Sequence, residues 1–261
     1  MNNEVTLLSV TKSEWIKFRS IRSTIMGYLI TFVVTLGIGA LITIALRSRF
    51  ATAGLGAKLA FDPVSTSLGG VLFAQFAVGV LGILFITSEY SSGSIRTTLA
   101  AVPQRTRLIA SKVLVLSVAT FLVSEVASFV TFLMGQAIYA GALPTASLRS
   151  GAVLRSVILA GVYLTLLAIL GFSLGLIVRQ SGASISIFTS LLLIVPLVSL
   201  FLPQRWQDII TKFEPSELGH AMMSPVPPPE LFGVGVATAT LLVYVLVALG
   251  VGVTLMIRRD A

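Results

Sequence analysis

SVILAGVYLTLLAILGFSLGLIV, residues 156–178, runs for 23 positions without a charge. A helix needs about 20 apolar residues to cross the hydrocarbon layer of a bilayer. That layer offers the backbone no water, so each N–H and C=O must be satisfied within the segment, and such a run is helix rather than strand. A barrel strand would alternate apolar with polar residues, and this stretch does not. Five more stretches qualify: 25–46, 64–87, 113–138, 183–202 and 231–257, with Glu125 the one charge inside any of the six. The expected fold class is an all-α integral membrane protein with six transmembrane helices. Its expected organisation is a cytoplasmic N-terminal segment, 1–24, followed by a single six-span domain, 25–261.

Composition agrees. Of 261 residues 56% are hydrophobic and 11% charged, whereas a soluble domain carries about 25% charged residues. Cysteine is absent, which excludes disulfides and thiolate zinc or iron–sulfur sites. The net charge of +8 suits anionic headgroups and topology signals better than nucleic acid, which is not an expected partner. Residues 1–24 are polar and basic, and no small-residue cleavage pattern follows the first apolar run. The first span is therefore expected to serve as its own uncleaved insertion signal.

Charge sets the expected orientation. With both ends inside, the inner side holds Lys12, Lys17, Arg19, Arg22, Arg96, Arg105, Arg107, Lys112, Arg179, Arg258 and Arg259, which is 11 of the 18 Lys and Arg residues. Lys17, Arg19 and Arg22 precede the first span, and Arg258 and Arg259 close the last. The positive-inside rule thus predicts an in–in topology.

Three connecting segments carry more pattern than topology requires. Thr11 and Glu14 have capping-box spacing, and Trp15, Phe18 and Ile21 recur at helical spacing beside basic residues. This predicts an amphipathic helix lying in the inner interface. The inner segment 89–105 predicts a short helix capped by Ser92 or Ser94 and broken before Pro103. In the outer segment 203–230, Trp206, Ile209, Ile210 and Phe213 form an amphipathic stripe ahead of the tract Pro225-Val226-Pro227-Pro228-Pro229. That pattern predicts one short helix on or dipping into the outer leaflet.

The catalytic inventory is thin. His220 is the one histidine, read as a solvated loop residue, so no His–His metal motif exists. No paired in-span carboxylates and no P-loop occur. No catalytic or metal site is expected, and this chain is expected to bind no cofactor. Glu125 must face protein or water, because burying it in lipid costs about 2.5–3.5 kcal/mol. It reads either as a proton or cation relay, or as a structural hydrogen-bonding group. Gln75 and Gln136 are further intramembrane polar candidates for a pore lining. Gly171 and Gly175 have small-xxx-small spacing for close packing, as Gly37 with Gly39 and Gly250 with Gly252 also could. Pro196 predicts a kink in span five.

Taken together, Ser13-Glu14-Trp15-Ile16-Lys17-Phe18-Arg19-Ser20-Ile21-Arg22-Ser23-Thr24 and Glu89-Tyr90-Ser91-Ser92-Gly93-Ser94-Ile95-Arg96-Thr97-Thr98-Leu99, with Pro103 and Arg105 behind it, resemble the permease subunits of type-2 ABC exporters, in particular the actinobacterial type. The resemblance implies a separate ATP-binding subunit that carries ATP and magnesium, a second permease copy as a homodimer partner, and a bacterial inner membrane. It further implies that 89–105 is a coupling helix docked on the ATPase, with Glu89, Tyr90, Ser92, Gly93, Ile95, Arg96, Leu99, Pro103 and Arg105 as its site. Glu14, Trp15, Lys17, Phe18, Arg19 and Arg22 would form a connecting helix touching the same partner, and the Arg179–Ala183 link a second contact. In that role Ile95, Leu99 and Val102 are expected to anchor in the ATPase, with Glu89, Arg96, Arg105 and Arg107 supplying charge. Glu89, at the membrane boundary, could instead pair with a basic neighbour. A different reading is a secondary transporter or channel with Glu125 as its ion-coupling site. The substrate is not legible in these residues.

Overall fold

The structure is a computed structural model, and it describes residues 6–20, 22–102 and 104–259. Among these residues there are helices and no strand. They are α1 (Leu7–Ser20), α2 (Arg22–Phe50), α3 (Leu55–Leu59), α4 (Pro63–Ser67), α5 (Val71–Ser91), α6 (Ser94–Ala101), α7 (Arg105–Tyr139), α8 (Gly151–Val178), α9 (Ser181–Thr189), α10 (Val195–Ser199), α11 (Gln204–Phe213), α12 (Pro215–Met223) and α13 (Val234–Arg259). A π-helical stretch, Ser190–Ile194, joins α9 to α10. Six segments are long and apolar enough to cross a membrane: α2, α5, α7, α8, the unit Ser181–Ser199 and α13. By the length and composition of its helices, the chain is a multi-pass membrane protein.

Helix α8 is the centre. Leu164, Leu167, Ala168, Phe172 and Leu176 are wholly buried, and α5, α7 and α13 pack around it. Lipid tails are as apolar as leucine, so helices associate by close packing rather than by escape from water. Glycines supply the closeness. Gly82 of α5 abuts the Ala168 carbonyl, Gly171 of α8 abuts the backbone of Gly79, and a Cβ on Gly175 would stand 3.1 Å from the Ile83 carbonyl. Gly39 and Gly252 also face neighbours, Thr131 and Leu176. A Cβ on Gly37 or Gly250 would meet nothing within 4 Å, so neither contributes to packing.

Span boundaries differ from the apolar runs. The stretch 64–87 is divided: Asp62 accepts from the amides of Val64 (2.9 Å) and Ser65 (3.3 Å) to start α4, and the chain breaks before α5 at Gly69–Gly70. Gly70 lies against the Thr35 carbonyl of α2, where a side chain has no room. Helix α7 begins at Arg105 and not at 113. Its 35 residues extend about 52 Å, well beyond the hydrocarbon layer. The break expected at Pro196 takes the form of the π-helical stretch. Proline lacks an N–H and its ring crowds the carbonyl four residues back, and a wider turn relieves that crowding.

The segment 203–230 forms two helices where one was expected. Helix α11 leaves Trp206, Ile209 and Phe213 exposed, whereas α12 buries Leu218, Ala221 and Met222 against α8 and α13. His220 is therefore a half-buried helical residue, with Nδ1 3.6 Å from Glu217, not a solvated loop histidine. Gln75 and Gln136 are committed to interhelical bonds and do not read as pore linings. Tyr163 of α8 donates to Gln75 Oε1, and the Gln75 amide donates to Ser216 of α12 at 3.3 Å. Gln136 donates to Ser67 Oγ and the Pro63 carbonyl, each at 3.0 Å, and accepts from the Ala146 amide at 2.7 Å.

The glycine seam gives a direct test. Gly171→Leu drives a side chain into the α5 backbone and should lower stability by about 1–3 kcal/mol, the usual range for overpacking. Gly250→Ala, in open space, should be neutral. Thermal unfolding of both variants in one detergent measures the difference.

Candidate functional site

Helix α1, the α5–α6 turn, the start of α7 and the C-terminal end of α13 meet on one face of the bundle. Helix α1 starts four residues before Thr11. Thr11 Oγ1 donates to the Leu7 carbonyl at 2.8 Å, so it lies within the helix and the expected capping box is not made. Thr6 Oγ1 instead accepts from the Ser9 amide at 3.3 Å. The packed face of α1 is Val10, Glu14 and Phe18, not the expected stripe of Trp15, Phe18 and Ile21. Trp15 is 37% exposed and stacks on Phe18, Arg19 and Arg22 are exposed, and Ile21 lies outside the described residues.

A carboxylate turns into the bundle because a cation is buried there. Lys112 of α7 has no exposed side-chain surface. Its Nζ donates to Glu14 Oε2 and to Glu89 Oε1 of α5, both at 2.6 Å, and lies 5.2 Å from the Phe85 ring centre. Lys17 closes the arrangement. It donates to Glu14 Oε1 at 2.8 Å, stands 3.8 Å from Glu89 Oε1 and donates to Thr98 of α6 at 3.3 Å. The result is a ring of alternating charge, Lys17–Glu14–Lys112–Glu89, that joins α1, α5 and α7 and touches α6. Burial alone would raise the Glu14 carboxyl, but the charge and hydrogen bond of Lys112, then those of Lys17, hold it below its ordinary value of 4.5. Glu89 thus takes the basic-neighbour alternative. It and Tyr90 belong to the last turns of a spanning helix rather than to a loop.

Helix α6 hangs from this ring. The chain reverses at Ser92–Gly93, where Gly93 has φ 73°, a left-handed conformation open to glycine at no steric cost. Ser92 Oγ accepts from the Ser94 amide at 3.4 Å. The expected anchors point the wrong way for a partner: Ile95 is buried, and Leu99 and Val102 pack against this chain's own core. What α6 exposes is Arg96 with Ser94, Thr97 and Ala100. Pro103 lies outside the described residues.

Three arginines fasten the same face. Arg105 donates to the carbonyls of Met256 (3.3 Å) and Ile257 (2.8 Å) at the end of α13. Arg259 of α13 donates to the Ile177 carbonyl at 3.2 Å. Arg179 ends α8 with φ 62° and sets its guanidinium 5.0 Å from the Tyr90 ring centre. Non-glycine residues in that conformation cost roughly 1 kcal/mol, which the ring contact helps offset. Arg96, Arg105 and Arg179 with Tyr90 border a basic cleft of about 750 Å³. Away from this face, Glu125 lies on the α7–α8 seam against Gly161, with Oε2 buried and lacking a hydrogen bond.

Lys112 was marked by sequence only as an inner-side charge, yet it organises the site. The available signal was its position: a lysine directly abutting an apolar run, on the side of the bundle that also carries Glu14 and Glu89. The arrangement joins charges from three helices and reaches a fourth. It locks four helical segments into one register.

Removing Lys112 alone takes the buried cation from two carboxylates and leaves them only the part-exposed Lys17. Lys112→Met should therefore cost about 3–5 kcal/mol, while the triple variant Glu14→Gln, Glu89→Gln, Lys112→Met should regain most of it. Melting temperatures in a single detergent decide. Acidity gives a second check. The folded-state value of Glu14 is depressed, so its contribution is complete above its ordinary value and is lost as pH falls through the lower one. The melting difference between wild type and Glu14→Gln should be constant near neutrality and shrink below pH 4.5.

Residues 60–261 match a family described as protein of unknown function, DUF2705. The match spans α4 to α13 and includes Glu89 and Lys112, while Glu14 and Lys17 precede it. No curated protein matches the chain. By the extent of the family match, the chain is a member of the DUF2705 family.

Proposed function

We propose that the chain is the membrane-spanning permease subunit of an ATP-driven type-2 ABC exporter, paired with a second permease copy and docked on a separate ATP-binding subunit that carries ATP and magnesium. The observation that carries this reading is the buried four-charge ring beneath a short exposed helix. In this reading the α6 face and both chain ends are cytoplasmic, and the membrane is a bacterial cell membrane. Helix α1 lies in the inner headgroup layer, with exposed Leu8 and Ile16 toward lipid.

The mechanism follows from rigidity. A docked ATPase pushes on the exposed side of α6 through Arg96 and its hydroxyl neighbours. The inward packing of Ile95 and Leu99 and the Lys17–Thr98 bond pass that push to α1, α5 and α7 together. The Arg179–Tyr90 contact brings in the α8–α9 link as a second point of load. A charged, polar docking face of this kind selects its partner by complementarity more than by buried apolar area.

A second reading, ion-coupled transport, is favoured by the unpartnered buried oxygen of Glu125. One experiment separates the two. The chain is co-expressed with a candidate ATP-binding subunit, co-purified and reconstituted in liposomes. The permease reading expects a stable complex whose ATPase activity falls roughly tenfold with Arg96→Glu, the scale of a lost interfacial charge contact. Flux driven by an ion or pH gradient with no ATPase present, and abolished by Glu125→Gln, would replace it with the second reading.

A further inference from the structure

Between α1 with the start of α2 on one side, and the end of α5 with α6 on the other, lies a cavity of about 650 Å³. This is within the usual 300–1,000 Å³ range of small-molecule sites. Its floor is apolar, formed by Leu81, Leu84 and Phe85 of α5 with Leu116 of α7. Its rim is hydroxylic: eight of the sixteen described lining residues are serine or threonine. Among the described lining residues the charged ones are Lys17 and Glu89, which face each other at 3.8 Å.

The rim has a definite hydrogen-bonding bias. Ser20, Ser92, Thr97 and Thr98 each donate to a backbone carbonyl of their own helix or turn. Their hydrogens are spent; Ser92 also accepts from Ser94 and Thr98 accepts from Lys17, so the acceptor sites left to a ligand are those of Ser20 and Thr97 and one on Thr98, since a hydroxyl offers one donor and two acceptor sites. Glu89 adds a buried Oε2 with no hydrogen bond. Ser23, Thr24 and Ser88 line the same rim, and a hydroxyl can donate or accept, so the rim suits a head group that brings donors for Glu89 and can itself accept. Charge narrows the choice further. The ring beside the cavity contains two carboxylates and two ammonium groups and is already balanced. An anionic head would meet lone pairs and the free oxygen of Glu89. An ammonium head would compete with Lys112 for Glu89 and leave the ring with surplus positive charge.

We propose that this cavity binds an amphiphile with an uncharged, hydroxyl-rich head and an apolar chain. The head donates to Glu89 Oε2 and the serine and threonine oxygens, and the chain lies on Leu81, Leu84 and Phe85. The assignment stands on the cavity itself and does not require an ATPase on α6.

The test uses the full chain in phosphatidylcholine nanodiscs. Four photoreactive probes share one diazirine-bearing tail and differ in the head: a monoacylglycerol, a fatty acid, an alkyltrimethylammonium and a phosphatidylcholine. Sites of attachment are mapped by mass spectrometry. The monoacylglycerol should label residues 81–88, with competition by unlabelled monoolein, while the other three label there about tenfold less, a discrimination of 1.4 kcal/mol. Ser88→Phe and Ser23→Phe fill the cavity from opposite walls. Both positions are exposed, so neither change enters a packed core, and each should cut monoacylglycerol labelling about tenfold. Equal labelling of 81–88 by all four probes, preference for a charged or phospholipid head, or labelling unchanged in both variants would overturn the proposal.

Discussion

An ammonium group with no exposed surface stays charged only if anions reach it, and Lys112 takes its two from different helices. Glu14 lies 98 positions away in sequence and Glu89 lies 23 away. Each carboxylate is carried by an element that must therefore be in place: α1 folded against α7, and α5 extended as helix to Ser91. Buried ion pairs of this kind are poor sources of net stability, because desolvating the charges cancels most of the attraction. What they do well is penalise every wrong register, since any slip strands a charge in a medium that cannot solvate it. The ring is thus best understood as a constraint on where α1, α5 and α7 sit relative to one another.

The two faces of the bundle solve different problems. On the α6 face, charge fixes the helix ends. On the other, neutral side chains make the interior links, with Asp62, Arg47 and Arg155 bonding backbone groups around them: Tyr163, Gln75 and Ser216 link α8, α5 and α12, while Gln136 holds α4 to α7. Between them the helices approach at glycines, where backbone meets backbone and dispersion replaces the missing hydrophobic drive.

The number and kind of spanning helices were legible because a 20-residue apolar run in this composition has few other fates. Their limits were not. Gly69–Gly70 is apolar by composition, and only the nearby α2 backbone makes it a break. Spacing marked Gly171 with Gly175, Gly37 with Gly39 and Gly250 with Gly252 alike, and only their neighbours show that Gly37 and Gly250 pack against nothing. The direction of α6 was hidden for a related reason. Periodicity shows that Ile95, Leu99 and Val102 share a face, but not whether that face meets its own chain or another. Glu14 read naturally as a capping residue, since its true partner is remote in sequence. Lys112 read as a topology mark because local pattern says nothing about contacts across such distances.

Helix α7 runs unbroken from Arg105 to Tyr139, with no proline and with Gly135 as its one glycine. It is fastened at one end by Lys112 and Arg105, and at the other by Gln136 and by Tyr139, which donates to Thr66 at 3.0 Å. Such a rod has no joint in which to dissipate a tilt. It is a lever: with α8 as its fulcrum, a sideways shift imposed near Arg105 reappears, reversed in direction, at α4 on the far side of the bundle.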